Sequence, residues 1–458
     1  MKSQSNFMSR LESGQLAIWV MAFLNVIASH GFELLISQPK WAGAQTVGFN
    51  PATLLCYALA GGSMGVAFLG FVRQRLSVDR ARLLLLVGIL PFLSILWAPT
   101  YTKTFNQALL FAGSYFLAVV TAAYFNSDAI IRIAVRAGTI SVVASLLMIL
   151  FFPKIGIHDP TDLAYPGAWR GIFIHKNEFG NAMAISLLLF MMVQKGELQS
   201  RSIRFLLKMG AAAGLAASSA GSAIVFIFGA FVLVAVISPR VFSPIATAVA
   251  RTAIIPVAVL VVAVVSNQEI FNAVFGRDMS LSGRVPFWEY ILSHVDNPLL
   301  IGLGYGTGFE YYFYRAEDVQ INFGEAFSSA HNGYLDWYLA FGLFGLCLIG
   351  SLIVQAFISA SSLMRSTNPN LRLLARVTTV VITLWLLTSL TESYFTVPTV
   401  VFENSFLFVA AVILQGRNLR KGAGESPRVQ KAAFDVPGAI TLGRAPCSTR
   451  STAARTTG

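Results

Sequence analysis

Charge is what this sequence has least of. Of its 458 residues only 12% are Asp, Glu, Lys or Arg, against 55% hydrophobic. A soluble chain carries about 25% charged residues, so an ordinary water-soluble domain is excluded. Cysteine is almost absent too. Cys56 and Cys347 fall in apolar runs and Cys447 in a polar tail, which indicates neither a disulfide framework nor a cysteine metal cluster. There is no HExxH, no paired His/Cys cluster and no Asp-x-Asp near the first outer loop, so a metal-dependent enzyme is disfavoured. No G-x-S-x-G nucleophile elbow is present. No internal repeat is evident, which counts against a transporter built from duplicated halves. A cleavable leader is not expected, because the first apolar run, from about Leu16, is long and lacks a small-residue cleavage site.

What is present is apolar sequence from end to end, with a mean hydropathy of +0.67. A helix needs about 20 apolar residues to cross a bilayer. Twelve candidate spans follow, near 14–34, 51–72, 83–98, 105–124, 137–152, 178–194, 203–218, 223–238, 246–266, 334–357, 375–392 and 399–415. The fold class expected is therefore all-α and polytopic. An even number of spans puts both termini on one side, and charge chooses the side. With the N-terminus in the cytoplasm, 25 of the 33 basic residues lie inside. Only Lys40, Lys103, Lys154, Arg170, Lys176, Arg277, Arg284 and Arg315 lie outside. That is the positive-inside bias. It explains the net charge of +12 without nucleic acid as a partner.

The chain then divides by span and loop. Residues 1–50 hold the first span and first outer loop. Residues 51–266 hold spans two to nine, with a short outer loop at 153–177. Residues 267–333 form the large outer loop, big enough for a small folded cap. Residues 334–415 hold the last three spans. Residues 416–458 are a basic, small-residue tail expected to be disordered.

The chemistry-bearing residues sit in the outer segments. Arg170-Gly171-Ile172-Phe173-Ile174-His175-Lys176-Asn177 puts cations where cations are depleted. Arg170 and Lys176 suit a multiply charged anion such as a lipid pyrophosphate, the arginine through its planar fork of donors. They equally suit anchoring to phospholipid headgroups. Asp159 and Asp162 share that loop without a telling spacing. In the large loop, SGRVPFWE places Pro286 in the first turn of a helix and Arg284 at its N-terminus. There the backbone donors favour an anion; a surface ion pair to Glu289 is the alternative. Gly302-Leu303-Gly304-Tyr305-Gly306-Thr307-Gly308 matches neither nucleotide-loop spacing and reads as a compact turn that lets the cap fold over the membrane. At the loop's end, Ser328 or Ser329 is expected to cap the tenth span. His331 is then expected in the first turn, where the positive end of the helix favours a neutral imidazole fit to act as a base. A headgroup contact is the alternative. Asp336, and with less weight Glu392 and Glu403, are ionisable residues at membrane depth and mark function nearby.

Three blocks taken together, WRGIFIHKNEFGN, SGRVPFWEYILSHVDNPLLIGLGYG and SSAHNGYLDWYLAFGLFG, resemble the O-antigen ligase and polymerase superfamily of bacterial surface polysaccharide enzymes. The first block is nearest to exopolysaccharide polymerases of the ExoQ type. The resemblance spans roughly residues 50–415. It implies a GT-C-like helical glycosyltransferase of the bacterial inner membrane, both termini cytoplasmic and active site periplasmic. It implies a glycan donor linked to undecaprenyl pyrophosphate, a glycan or lipid A core as acceptor, no metal and no cofactor, and partners among chain-length regulators and export proteins. On that likeness the catalytic residues are Arg170, Arg284 and His331, and the substrate-binding residues are Lys176, Asn177, His175 and Asn332. The competing classes are a flippase or transporter, which would concentrate polar groups at mid-membrane, and a non-catalytic assembly subunit. Within the family, no residue separates polymerase from ligase.

Overall fold

In lipid a backbone must satisfy its own hydrogen bonds, so apolar runs of this length become helices. The computed structural model describes residues 14–29, 31–32, 51–72, 78–161, 165–193, 200–221, 284–295, 300–308 and 329–424, with isolated positions between 223 and 232. The helices are α1 Gln15–Ala28, α2 Pro51–Val72, α3 Val78–Leu93, α4 Tyr101–Tyr124, α5 Ser127–Phe151, α6 Lys176–Met192, α7 Arg201–Ala217, α8 Arg284–His294, α9 Gly333–Met364, α10 Pro369–Thr388 and α11 Val400–Gly424. Among the described residues there is no strand, only one bridge between Ile157 and Trp169 that closes the loop before α6. The chain forms two units, residues 1–417 and 418–458, and every contact described below lies in the first.

Among the described residues four helices, α4, α5, α9 and α10, are both long and apolar enough to cross a membrane. Shorter apolar helices occupy Gln15–Ala28, Tyr57–Gly70, Ala81–Leu96 and Val400–Gly416. The spans expected at 223–238 and 246–266, like most of the loop 267–333, fall largely or wholly outside the described residues. Large apolar side chains stay exposed on the flanks, among them Leu150, Phe205, Phe344 and Ile358. That much exposed apolar surface fits a lipid-facing surface.

Polar residues set several helix starts. Asn126 caps α5 by accepting from Ala129 N at 2.9 Å. Asn368 caps α10, with Pro369 in the first turn. The fifth span begins ten residues before the expected 137, because Arg132 and Arg136 are accommodated inside a helix rather than in a loop. Arg132 pairs with Asp128 one turn away. Arg136 is buried, donates to Gln15 O at 3.0 Å and lies 4.8 Å from the Trp19 ring centroid, tying α5 to α1.

The bundle is assembled by α4 against α2 and α3, α1 against α5, α6 against α5 and α7, and α9 against α10 and α3. Its centre is aromatic. Phe111 of α4 meets Phe402 of α11 edge-on at 5.2 Å, and Trp385 of α10 meets Phe406 at 5.0 Å.

The glycine-rich stretch at 302–308 has a structural task that differs from the expected surface turn. Helix α9 is broken at Gly342 (φ 64°, ψ −159°), which frees backbone groups on either side. Leu303 N donates to Leu339 O and Gly304 N to Ala340 O, both at 2.9 Å, while Phe344 N donates to Leu300 O at 3.0 Å. The loop therefore fills the break and takes up the hydrogen bonds the helix gives up. Gly302 (φ 68°) must lack a side chain, since a Cβ there would lie 2.4 Å from the Ala340 carbonyl carbon. Tyr305 is buried, stacks on Phe341 at 5.7 Å, and donates its hydroxyl to Thr396 O. The amides of Leu303 and Gly304 thus serve α9.

Candidate active site

Four chain segments meet at one end of the bundle: the loop before α6, the start of α8, the residues before α9, and the α10–α11 connection. The residue at which three of them converge is Glu392, with its side chain 9% exposed. Asn177, in the first turn of α6, donates Nδ2 to Glu392 Oε1 at 2.9 Å. Arg284, the first residue of α8, lies 3.4 Å from the same oxygen and also donates to Thr391 O. His331 Nδ1 lies 3.8 Å from Glu392 Oε2. A carboxylate taken out of water is costly unless paired and hydrogen-bonded. Here a guanidinium and an amide supply the pairing.

The partners on Glu392 are more open than the carboxylate itself. The Arg284 side chain is 21% exposed and that of His331 32%. The site therefore presents cationic and imidazole faces outward above a buried anion.

His331 is held in a tight turn. Its φ is +47°, a conformation uncommon outside glycine. Its N–H donates to Ser329 Oγ at 3.3 Å, and Ser329 Oγ bonds Ser393 Oγ at 2.9 Å. Asp336, in the first turn of α9 and buried, accepts from Ala330 N at 2.9 Å and from the Ser393 hydroxyl. The pair Glu392-Ser393 thus binds both the turn and the cluster. The expected helix start is corrected here. Asn332, not Ser328 or Ser329, caps α9, accepting from Tyr334 N at 3.1 Å and Leu335 N at 3.2 Å. His331 precedes the helix instead of sitting in its first turn, because the asparagine oxygen reaches two N–H groups that a serine further back cannot.

The remaining expected residues lie on the loop before α6. Arg170 is buried, donating Nε to Ile155 O at 2.8 Å. Lys176 donates to Ser219 O at 3.3 Å and sits 4.7 Å from the Tyr165 ring centroid. His175 caps α6, its Nδ1 accepting from Asn177 N at 3.2 Å, and meets Tyr165 edge-on at 4.9 Å. Burial pushes its pKa down to about 4, against the opposing pull of Glu392, so the imidazole is neutral and serves as an acceptor. Asp159 makes a local turn with Thr161, and Asp162 lies outside the described residues. Arg284 pairs with Glu392, which replaces the ion pair to Glu289 considered above. Arg284, His331 and Asn177 are thus brought together. Lys176 and His175 stand beside them, and Arg170 is placed through its own loop.

The fold defines an all-helical membrane protein with an ionic cluster at one end of its bundle. Residues 205–350 match the family model described as O-Antigen ligase, which supports the O-antigen ligase and polymerase superfamily for this chain. That segment contains Arg284, His331 and Asn332; Arg170, Lys176, Asn177 and Glu392 lie outside it. No curated protein matches the chain.

Proposed function

We propose that this protein is a glycosyltransferase at the periplasmic face of the bacterial inner membrane, transferring a glycan from undecaprenyl pyrophosphate to an acceptor hydroxyl and so polymerising exopolysaccharide or O-antigen repeat units. The observation that carries this reading is the grouping of Arg284, Asn177 and His331 about one end of the bundle, within and beside the segment that matches the ligase family. Arg284 binds the pyrophosphate and stabilises the charge that develops on it, with Arg170 and Lys176 of the loop before α6 as further cations for the same anion. His331 accepts the proton of the acceptor hydroxyl. The acceptor oxygen bonds to the anomeric carbon as the carbon–oxygen bond to pyrophosphate breaks, the electron pair leaving with the lipid pyrophosphate. Attack from the opposite face gives inversion, and no step requires a metal. Asn332 and His175 order the backbone from which these groups project.

A second reading is favoured by the family description itself: an O-antigen ligase that places finished glycan on lipid A core. Reconstitution separates the two. The purified protein is given undecaprenyl-pyrophosphate-linked repeat units with and without lipid A core, and products are sized. A ladder from donor alone identifies a polymerase. Product only with the lipid acceptor identifies a ligase. No transfer by folded protein with authentic substrate moves the assignment to a flippase, transporter or assembly subunit.

A further inference from the structure

The groups that would grip a pyrophosphate already grip an anion of the protein's own. Glu392 Oε1 accepts from Asn177 at 2.9 Å and faces Arg284 at 3.4 Å, while Oε2 faces His331 at 3.8 Å. One carboxylate therefore touches both halves of the proposed chemistry, the leaving-group cation through one oxygen and the base through the other. We infer that Glu392 is a positioning residue that donor pyrophosphate displaces from Arg284 and Asn177, and that, once displaced, it acts on His331. This rests on the glycosyl-transfer reading above and adds the order of events to it.

The electrostatics give the reason. In the free protein the Arg284 charge is spent on Glu392, whose other oxygen stands 3.8 Å from His331 Nδ1, beyond hydrogen-bond length. A pyrophosphate carries more charge and more acceptor oxygens than a carboxylate, and a guanidinium fork matches it bidentately. Binding it draws Arg284 and the Asn177 amide outward, towards the more open side of the site. Glu392, buried and now short of partners, regains stability by pairing with an imidazolium. His175, also within the field of Glu392, is held neutral by burial and competes poorly for it. The proton leaving the acceptor hydroxyl then has a stabilised place on His331 Nε2, with the carboxylate on the Nδ1 side fixing ring orientation and tautomer. The base becomes effective only when a donor is in place, so binding is ordered, donor first.

The carboxylate is a competitor for the pyrophosphate and a helper in transfer, and this gives opposite signs in two measurements. Undecaprenyl pyrophosphate binding and single-turnover transfer are measured on wild type and on E392Q, with membrane extraction and gel-filtration behaviour as the check on folding. E392Q is expected to bind undecaprenyl pyrophosphate about tenfold more tightly, the loss of a competing charge worth roughly one decade. It is expected to transfer about 100-fold more slowly, the usual scale of a general-base defect. E392D, which retracts the carboxylate by one methylene, should move both quantities the same way by less, and carries the test if E392Q does not fold. Parallel weakening of binding and transfer would mean a merely structural carboxylate and overturn the inference, as would two unchanged values. Wild type that neither binds undecaprenyl pyrophosphate nor transfers from it would overturn the glycosyl-transfer reading itself, which separates that failure from this one.

Discussion

His175 sits next to two proposed substrate-binding residues, yet its clearest task is to cap α6 with a neutral ring. Because its folded pKa is depressed to about 4 from an ordinary value near 6.5, the unfolded chain binds the extra proton first. Its contribution to stability is complete above about pH 6.5 and is lost as pH falls towards about 4. H175N keeps an N-cap acceptor and removes the titration. Thermal unfolding in detergent at pH 7.5 and pH 5 should show a smaller drop for H175N than for wild type; an equal drop would assign the acid sensitivity elsewhere. The two arginines make a second comparison. Loss of a charge aimed at a developing anion costs about 100- to 1,000-fold, so R170A and R284A should each abolish detectable product while the protein remains in the membrane. Full activity in both would remove the assignment. Arg284 could be singled out in sequence as a cation on the side where cations are depleted, and His331 as an imidazole at the start of an apolar span. The role of Glu392 could not. Its partners lie 108 and 215 residues away, and only the returning helices bring them to it.

Helix existence was readable from apolar run length, because lipid leaves the backbone few alternatives. Helix ends were less so. Arg132 and Arg136 read as loop residues until Asp128, Gln15 and Trp19 are seen to absorb their charge. The break in α9 was also hidden. Gly342 stands among apolar residues that continue without interruption, and the loop that completes it lies about 40 residues earlier in sequence. G302A tests this element directly. The added Cβ meets main chain rather than a side chain that can turn away, and the backbone is left-handed. The cost should exceed about 1 kcal/mol, read as a lower unfolding temperature in detergent. G167A, at a left-handed position with open space around it, should cost less and separates backbone strain from the collision.

At the level of the whole molecule, the first turn of α6 and the residues before α9 each bond to the α10–α11 connection, which gathers the three segments at one end of the bundle. The bias of basic residues predicts that this end faces the periplasm. In a background lacking Cys56, Cys347 and Cys447, a cysteine at Asp159 should react with an impermeant maleimide added to intact spheroplasts. One at Thr367, between α9 and α10, should react only after permeabilisation. The reverse pattern would invert the topology and move the site to the cytoplasm. The overall class was legible because composition alone separates membrane from water-soluble chains. Three of the four segments of the site were named through the resemblance, but their meeting on Glu392 of the fourth was not legible, since sequence orders residues along a line and the site gathers them across it.

The plug at Gly342 also bears on biosynthesis. Residues 300–308 leave the ribosome before any part of α9 does. The amide donors that Leu339 and Ala340 require are therefore made before their carbonyls enter the bilayer, and the acceptor for Phe344 is made before its N–H. A chain built in the opposite order would deliver a fractured helix to lipid with nothing to close it. In this protein, the direction of translation supplies the splint ahead of the break.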